Sequence, residues 1–110
     1  MNFNQRREND ILIIDLSGWL DADSSDLFQE QFDIWSESVS KFVFNCKDLE
    51  FVDSTGLGSL LLGLKATMKK DGDIRLATVN EKVQMFLEIT KANDIFQIFD
   101  TVENAVASYT

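Results

Sequence analysis

The chain has 110 residues, 45 % of them hydrophobic, and carries 19 acids against 10 bases for a formal charge of −9. That length suits one compact domain needing no disulfide or metal staple, and such a charge repels nucleic acid and anionic lipid. Histidine is absent and Cys46 is the only cysteine, which excludes an internal disulfide, a multi-cysteine zinc site and the commonest general base.

Residues 3–8 read as a first, mostly polar strand, and Glu8-Asn9-Asp10 as a turn into the apolar strand that begins at Ile11. Strands joined so tightly pair antiparallel. No run is long enough to span a bilayer. Met1-Asn2-Phe3-Asn4 lacks the basic-then-apolar order of a secretion signal, so a cytoplasmic protein is expected. Past Ser17-Gly18 and Trp19-Leu20, the cluster Asp21-Ala22-Asp23-Ser24-Ser25 announces a helix start. Phe28, Phe32 and Trp35 then recur at helical spacing, with Leu27 and Ile34 flanking that stripe and Glu30, Asp33 and Glu37 among the polar positions.

Lys41–Cys46 reads as the next strand, placing Cys46 as a buried, inert thiol. Phe51-Val52 leads into Asp53-Ser54-Thr55-Gly56-Leu57-Gly58, and a second helix runs to about Lys70. Leu57, Leu60, Leu61, Leu64 and Met68 fall on one face of it; Lys69-Lys70 suit its C-terminal dipole and Asp71-Gly72 stop it. A strand over Ile74–Val79, a helix capped by Asn80 with Val83, Phe86 and Leu87 on one face, a short strand Ile95–Phe99 and a helix from about Thr101 complete the order. Val102, Ala105 and Val106 give the last helix an apolar edge. The fold class is α/β. It comprises a mixed sheet, with an antiparallel N-terminal hairpin and otherwise largely parallel strands, packed with about four helices.

Ser54 stands at a helix mouth directly after a strand. There the unpaired backbone amides and the helix dipole favour negative charge. A serine so placed can cap the helix, attack a substrate, or carry a phosphate. Capping by Asp53, Ser54 or Thr55 is the plain structural role, worth ~1 kcal/mol. Gly56 and Gly58 count against capping alone, because each costs roughly 1 kcal/mol relative to alanine inside a helix. What they offer is an open approach for a docking partner.

Attack is disfavoured, since a serine nucleophile needs a base and no His exists; Lys65 lies about three turns along the same helix. Asp21, Asp23 and Asp53 suit a hard cation by ligand type, but their commoner role is capping and solvation. Phosphate acceptance fits the local physics best, for the dipole tolerates an added charge of roughly −1.5 to −2 while the surface around it changes sharply. No catalytic residue, cofactor or metal is assigned. Trp19 shares a strand face with Asp15 and Ser17, and is read either as structural or as an anchor for a partner beside Ser54.

Phe51-Val52-Asp53-Ser54-Thr55-Gly56-Leu57-Gly58 resembles the central motif of the STAS domain family, whose small bacterial members are anti-anti-sigma factors. Gly18-Trp19-Leu20-Asp21-Ala22 is similar to a second motif of the family, and the order of elements agrees over nearly the whole chain, residues 1–110. The resemblance implies that Ser54 is phosphorylated and that Asp21 and Asp53 flank it. With these belong Asp23, Thr55 and Gly56, and Trp19, Leu57, Gly58, Leu62 and Lys65 on the docking surface. It implies an anti-sigma factor with a GHKL-type ATPase fold that binds the unphosphorylated form and phosphorylates Ser54. A PP2C-type phosphatase would reverse the mark. A monomer or weak dimer is expected, touching neither nucleic acid nor membrane. Two other outcomes stay open: a phospho-switch controlling secretion, biofilm formation or a phosphatase, and a structural module of a stress-signalling complex. Asn45 and Trp19 are mild departures: the strand position of Asn45 often carries an acid or amide, and that of Trp19 is often polar.

Overall fold

The computed structural model describes residues 1–110. Its elements are β1 (Asn2–Glu8), β2 (Ile11–Leu20), α1 (Ser25–Ser36), β3 (Lys41–Val52), α2 (Ser54–Met68), β4 (Asp73–Ala77), α3 (Glu81–Ile89), a 3₁₀ turn (Ala92–Asp94), β5 (Gln97–Phe99) and α4 (Val102–Ala107). The strands form one sheet in the order β1-β2-β3-β4-β5. β1 and β2 pair antiparallel, and every other neighbour is parallel. The hairpin and the parallel remainder are therefore as the residue pattern predicted.

Alternation in β2 sends its side chains to two different cores. Leu12, Ile14, Leu16 and Leu20 face the larger one, which α1 covers with Phe28, Phe32 and Trp35, α2 with Leu57, Leu60 and Leu64, and α3 with Val83 and Leu87. Burial of Phe28 and Phe32 stabilises the fold by roughly 1.5–3 kcal/mol each. Ile11 and Ile13 face the other way, onto Val102 and Ala105 of α4. α4 closes this second face through Tyr109, just beyond its end, whose hydroxyl lies 2.8 Å from the carbonyl of Phe42 and 2.9 Å from that of Asp73.

Several element bounds differ from the sequence reading. β3 continues without a break through Lys47-Asp48 to Val52, where two separate apolar pieces were expected. One residue of β3 is extra between the pairs Asp15–Asn45 and Ser17–Asp48, so the strand absorbs its polar stretch as a bulge. β4 ends at Ala77 rather than Val79, because Thr78 turns the backbone to φ 55°. β5 is shortened from its start by the 3₁₀ turn, which local pattern did not disclose. Met68, Leu27 and Ile34 are exposed.

Cys46 is buried, and desolvation pushes its thiol from 9.0 up to about 12. Burial raises the Tyr109 phenol as well. Below pH 9 folded and unfolded chains both hold the thiol proton. Above it the unfolded chain ionises while the folded one does not, so stability falls as pH rises through this window. Denaturant titrations between pH 8 and 11 are expected to show that fall, and Cys46→Ala is expected to make it shallower.

Candidate functional site around Ser54

The site is built where β2 and β3 end side by side. Trp19 pairs with Phe51 and Leu20 with Val52, so Asp21 and Asp53 leave the sheet as neighbours. The amide of Asp53 donates to the carbonyl of Leu20 at 3.2 Å, tying the start of α2 to the end of β2.

Asp53 is the N-cap of α2. One carboxylate oxygen accepts from the amide of Gly56 at 2.8 Å, and the other from the amide of Ala22, across the loop, at 3.2 Å. The side chain thus fastens the β2–α1 loop to the helix mouth. Asp21 organises that loop from within, accepting from the amides of Asp23 at 3.1 Å and Ser24 at 3.2 Å. Ser24 does not cap α1 with its side chain; its hydroxyl turns back to donate to the carbonyl of Trp19 at 2.7 Å. Asp23 lies exposed on the same loop.

With Asp53 capping, Ser54 is released from that role. It occupies the first helical position, is exposed, and its hydroxyl bonds to no other group of the chain. Thr55 is also exposed. Asp21 and Asp53 are both engaged by backbone amides, and no group of three or more His, Cys, Asp or Glu is arranged to hold a metal ion.

The two glycines separate in role. A Cβ on Gly56 would stand 2.0 Å from the carbonyl oxygen of Leu20, so this glycine lets α2 press against β2. A Cβ on Gly58 would meet nothing within 4 Å. Gly58 lines an open groove between α1 and α2, with Thr55, Ser59, Leu62 and Lys65 on one side and Asp26 and Gln29 on the other. Leu62 is 59 % exposed there, and Lys65 is exposed. Leu57 departs from the expected docking set. It is only 8 % exposed and packs into the larger core, because the first turn of α2 aims that position at the sheet.

Trp19 is 54 % exposed, with its ring 5.1 Å from that of Phe51. The structural alternative therefore gives way to an outward-facing aromatic beside the site. Sequence reading missed Phe51, Gln29 and Asp26 as site neighbours. A signal for Phe51 existed: Trp19-Leu20-Asp21 and Phe51-Val52-Asp53 repeat aromatic, aliphatic, acid on strands that lie in register.

The STAS domain model matches residues 2–105. The chain belongs to the STAS domain family. It is 35 % identical over 98 residues to the anti-sigma F factor antagonist of Paenibacillus polymyxa, covering 87 % of this chain and 84 % of that protein. It is 29 % identical over 109 residues to the anti-sigma-B factor antagonist of Bacillus subtilis (strain 168), covering 96 % and 99 %. The crystal structure of the Thermotoga maritima protein TM1081 matches this STAS domain with a TM-score of 0.90 at 28 % identity, over 96 % of this chain and 92 % of that one. No helix is long and apolar enough to cross a membrane.

Proposed function

We propose that the protein is an anti-sigma factor antagonist that works by partner switching, with Ser54 as phosphoacceptor. The observation that carries this reading is the free, exposed hydroxyl of Ser54 at a helix mouth whose capping is already done by Asp53. A phosphate there loses no contact of the folded chain and meets the positive end of the helix dipole. The names of the P. polymyxa and B. subtilis relatives support an anti-sigma factor as the partner.

In the unphosphorylated state the partner covers Ser54, the groove beside Gly58, Leu62 and Lys65, and the ring of Trp19. The partner is an ATP-using serine kinase of GHKL type. Transfer of the γ-phosphoryl group from ATP to the Ser54 oxygen breaks its bond to the β-phosphate oxygen, releases ADP and the hydroxyl proton, and places a near-dianion next to Asp53 and the acidic loop that Asp53 fastens. Like-charge repulsion and bulk then expel the partner. A PP2C-type phosphatase hydrolyses the ester and restores the hydroxyl. The chain turns over no substrate itself and acts in the cytoplasm.

The test is incubation with an anti-sigma kinase and ATP, followed by intact and fragment mass analysis. One phosphate is expected, on the fragment holding Ser54, and none on Ser54→Ala, which is expected to keep its binding to the kinase. Label that moves to Thr55 or Ser59 in that variant would show the acceptor to be wrongly placed.

A further inference from the structure

We infer that the partner's footprint extends beyond Ser54, across Trp19 and Phe51, onto the outer face of α3. There the anti-sigma kinase presents an apolar element with a carboxylate opposite Lys82. This rests on the reading of Ser54 as the switch. An apolar cleft beyond Phe51 is lined by Lys82, Met85, Phe86 and Ile89. Met85 is 61 % and Ile89 74 % exposed, and nothing in residues 1–110 covers them. Phe51 lines this cleft and its ring lies 5.1 Å from that of the exposed Trp19, which joins the two into an apolar surface of the kind that marks docking sites when rimmed by polar groups.

Two features select the same partner for this surface. The first is continuity. Trp19 and Phe51 are paired in register two residues before Asp21 and Asp53, and the carbonyl of Trp19 is gripped by Ser24 of the loop that Asp53 fastens. A protein seated over Ser54 in that direction lands on the aromatic pair. The second is charge. Asp53 directly precedes Ser54, and Asp21 and Asp23 stand on the loop that Asp53 fastens to the helix mouth, so the partner meets this acidic end of the sheet with basic groups. The cleft carries one charged side chain, Lys82, whose ammonium sits 5.3 Å from the centre of the Phe51 ring. A carboxylate opposite Lys82 beside bases opposite the aspartates fixes the orientation of the kinase as well as its affinity.

The experiment is calorimetric titration of the Ser54-labelling kinase, with ADP, into the full unphosphorylated chain and its variants. Thermal melts are run on each variant. Ile89→Glu and Lys82→Glu are expected to weaken binding about tenfold or more with unchanged melting, as for residues inside a buried contact. Ile34→Glu, an equally apolar-to-acid change on exposed α1, is expected to leave affinity unchanged. If Leu62→Glu and Ser54→Asp weaken binding while Ile89→Glu and Lys82→Glu do not, the extended footprint is wrong and the Ser54 switch stands. Should no anti-sigma kinase label Ser54 in the parent chain, both readings fall. Self-association of the chain alone, abolished by Ile89→Glu in sedimentation, would assign the cleft to a second copy and overturn the proposal.

Discussion

Gly56→Ala is expected to destabilise the protein by about 3 kcal/mol, the upper end of the usual cost of overpacking. The added methyl would stand 2.0 Å from the carbonyl oxygen of Leu20 and 2.7 Å from its carbonyl carbon. Both are backbone atoms of β2, where Leu20 is paired with Val52 of β3. No rotamer change relieves that contact; α2 has to lift away from β2, breaking the Asp53–Leu20 hydrogen bond and spoiling the cap. Gly58→Ala is the matched control, two residues along the same helix with open space at its Cβ. It gains helix propensity, so its stability is expected to rise by up to ~1 kcal/mol. Urea midpoints of the two variants shifting in opposite directions would confirm the close approach. Equal shifts would show that α2 does not press on β2.

Ser54→Asp is expected to weaken binding to the anti-sigma kinase by ~1–3 kcal/mol, or about 5- to 150-fold. A carboxylate at this position adds negative charge beside Asp21, Asp23 and Asp53 and has to be desolvated under a bound partner. It adds less charge and bulk than a phosphate, so the figure is a lower bound on the effect of phosphorylation. Folding is expected to be unaffected, since the first turn of a helix favours an acid and the exposed serine it replaces makes no side-chain hydrogen bond. Titration calorimetry against the kinase, with a thermal melt of each form, checks both halves. Undiminished binding by Ser54→Asp would remove electrostatic exclusion as the mechanism.

The parts of the fold set by periodicity were legible in the sequence. Phe28, Phe32 and Trp35 mark the buried face of α1, and Leu57, Leu60 and Leu64 that of α2, because helical spacing and core burial point the same way. Met68, on the same predicted stripe, is exposed at the last residue of α2. Periodicity names the face of a helix but not where its cover ends. The bulge in β3 was hidden for a different reason. Lys47-Asp48 look like a loop locally, and only pairing with β2 keeps them in the strand.

The cap at the start of α2 was legible in Asp53-Ser54-Thr55, because capping depends on the next few residues. The candidate site was illegible wherever a role depends on another element. Leu57 reads as part of a docking surface until the sheet is placed beneath it. Gly56 and Gly58 look equivalent until Leu20 is placed beside one of them. The link from Asp53 to Ala22 spans 31 residues, and no local pattern announces it.

The groups that hold the acceptor in place are strand-end carbonyls, loop amides and Asp53, all bound into the scaffold. Those offered outward, such as Leu62, Lys65, Lys82 and Ile89, are exposed and largely outside the cores. Substitution at the second set leaves the first intact. Under the proposed switch, duplicate genes of this design can therefore diverge in which regulator they answer to, one exposed side chain at a time, while each copy keeps the same free hydroxyl at the helix mouth.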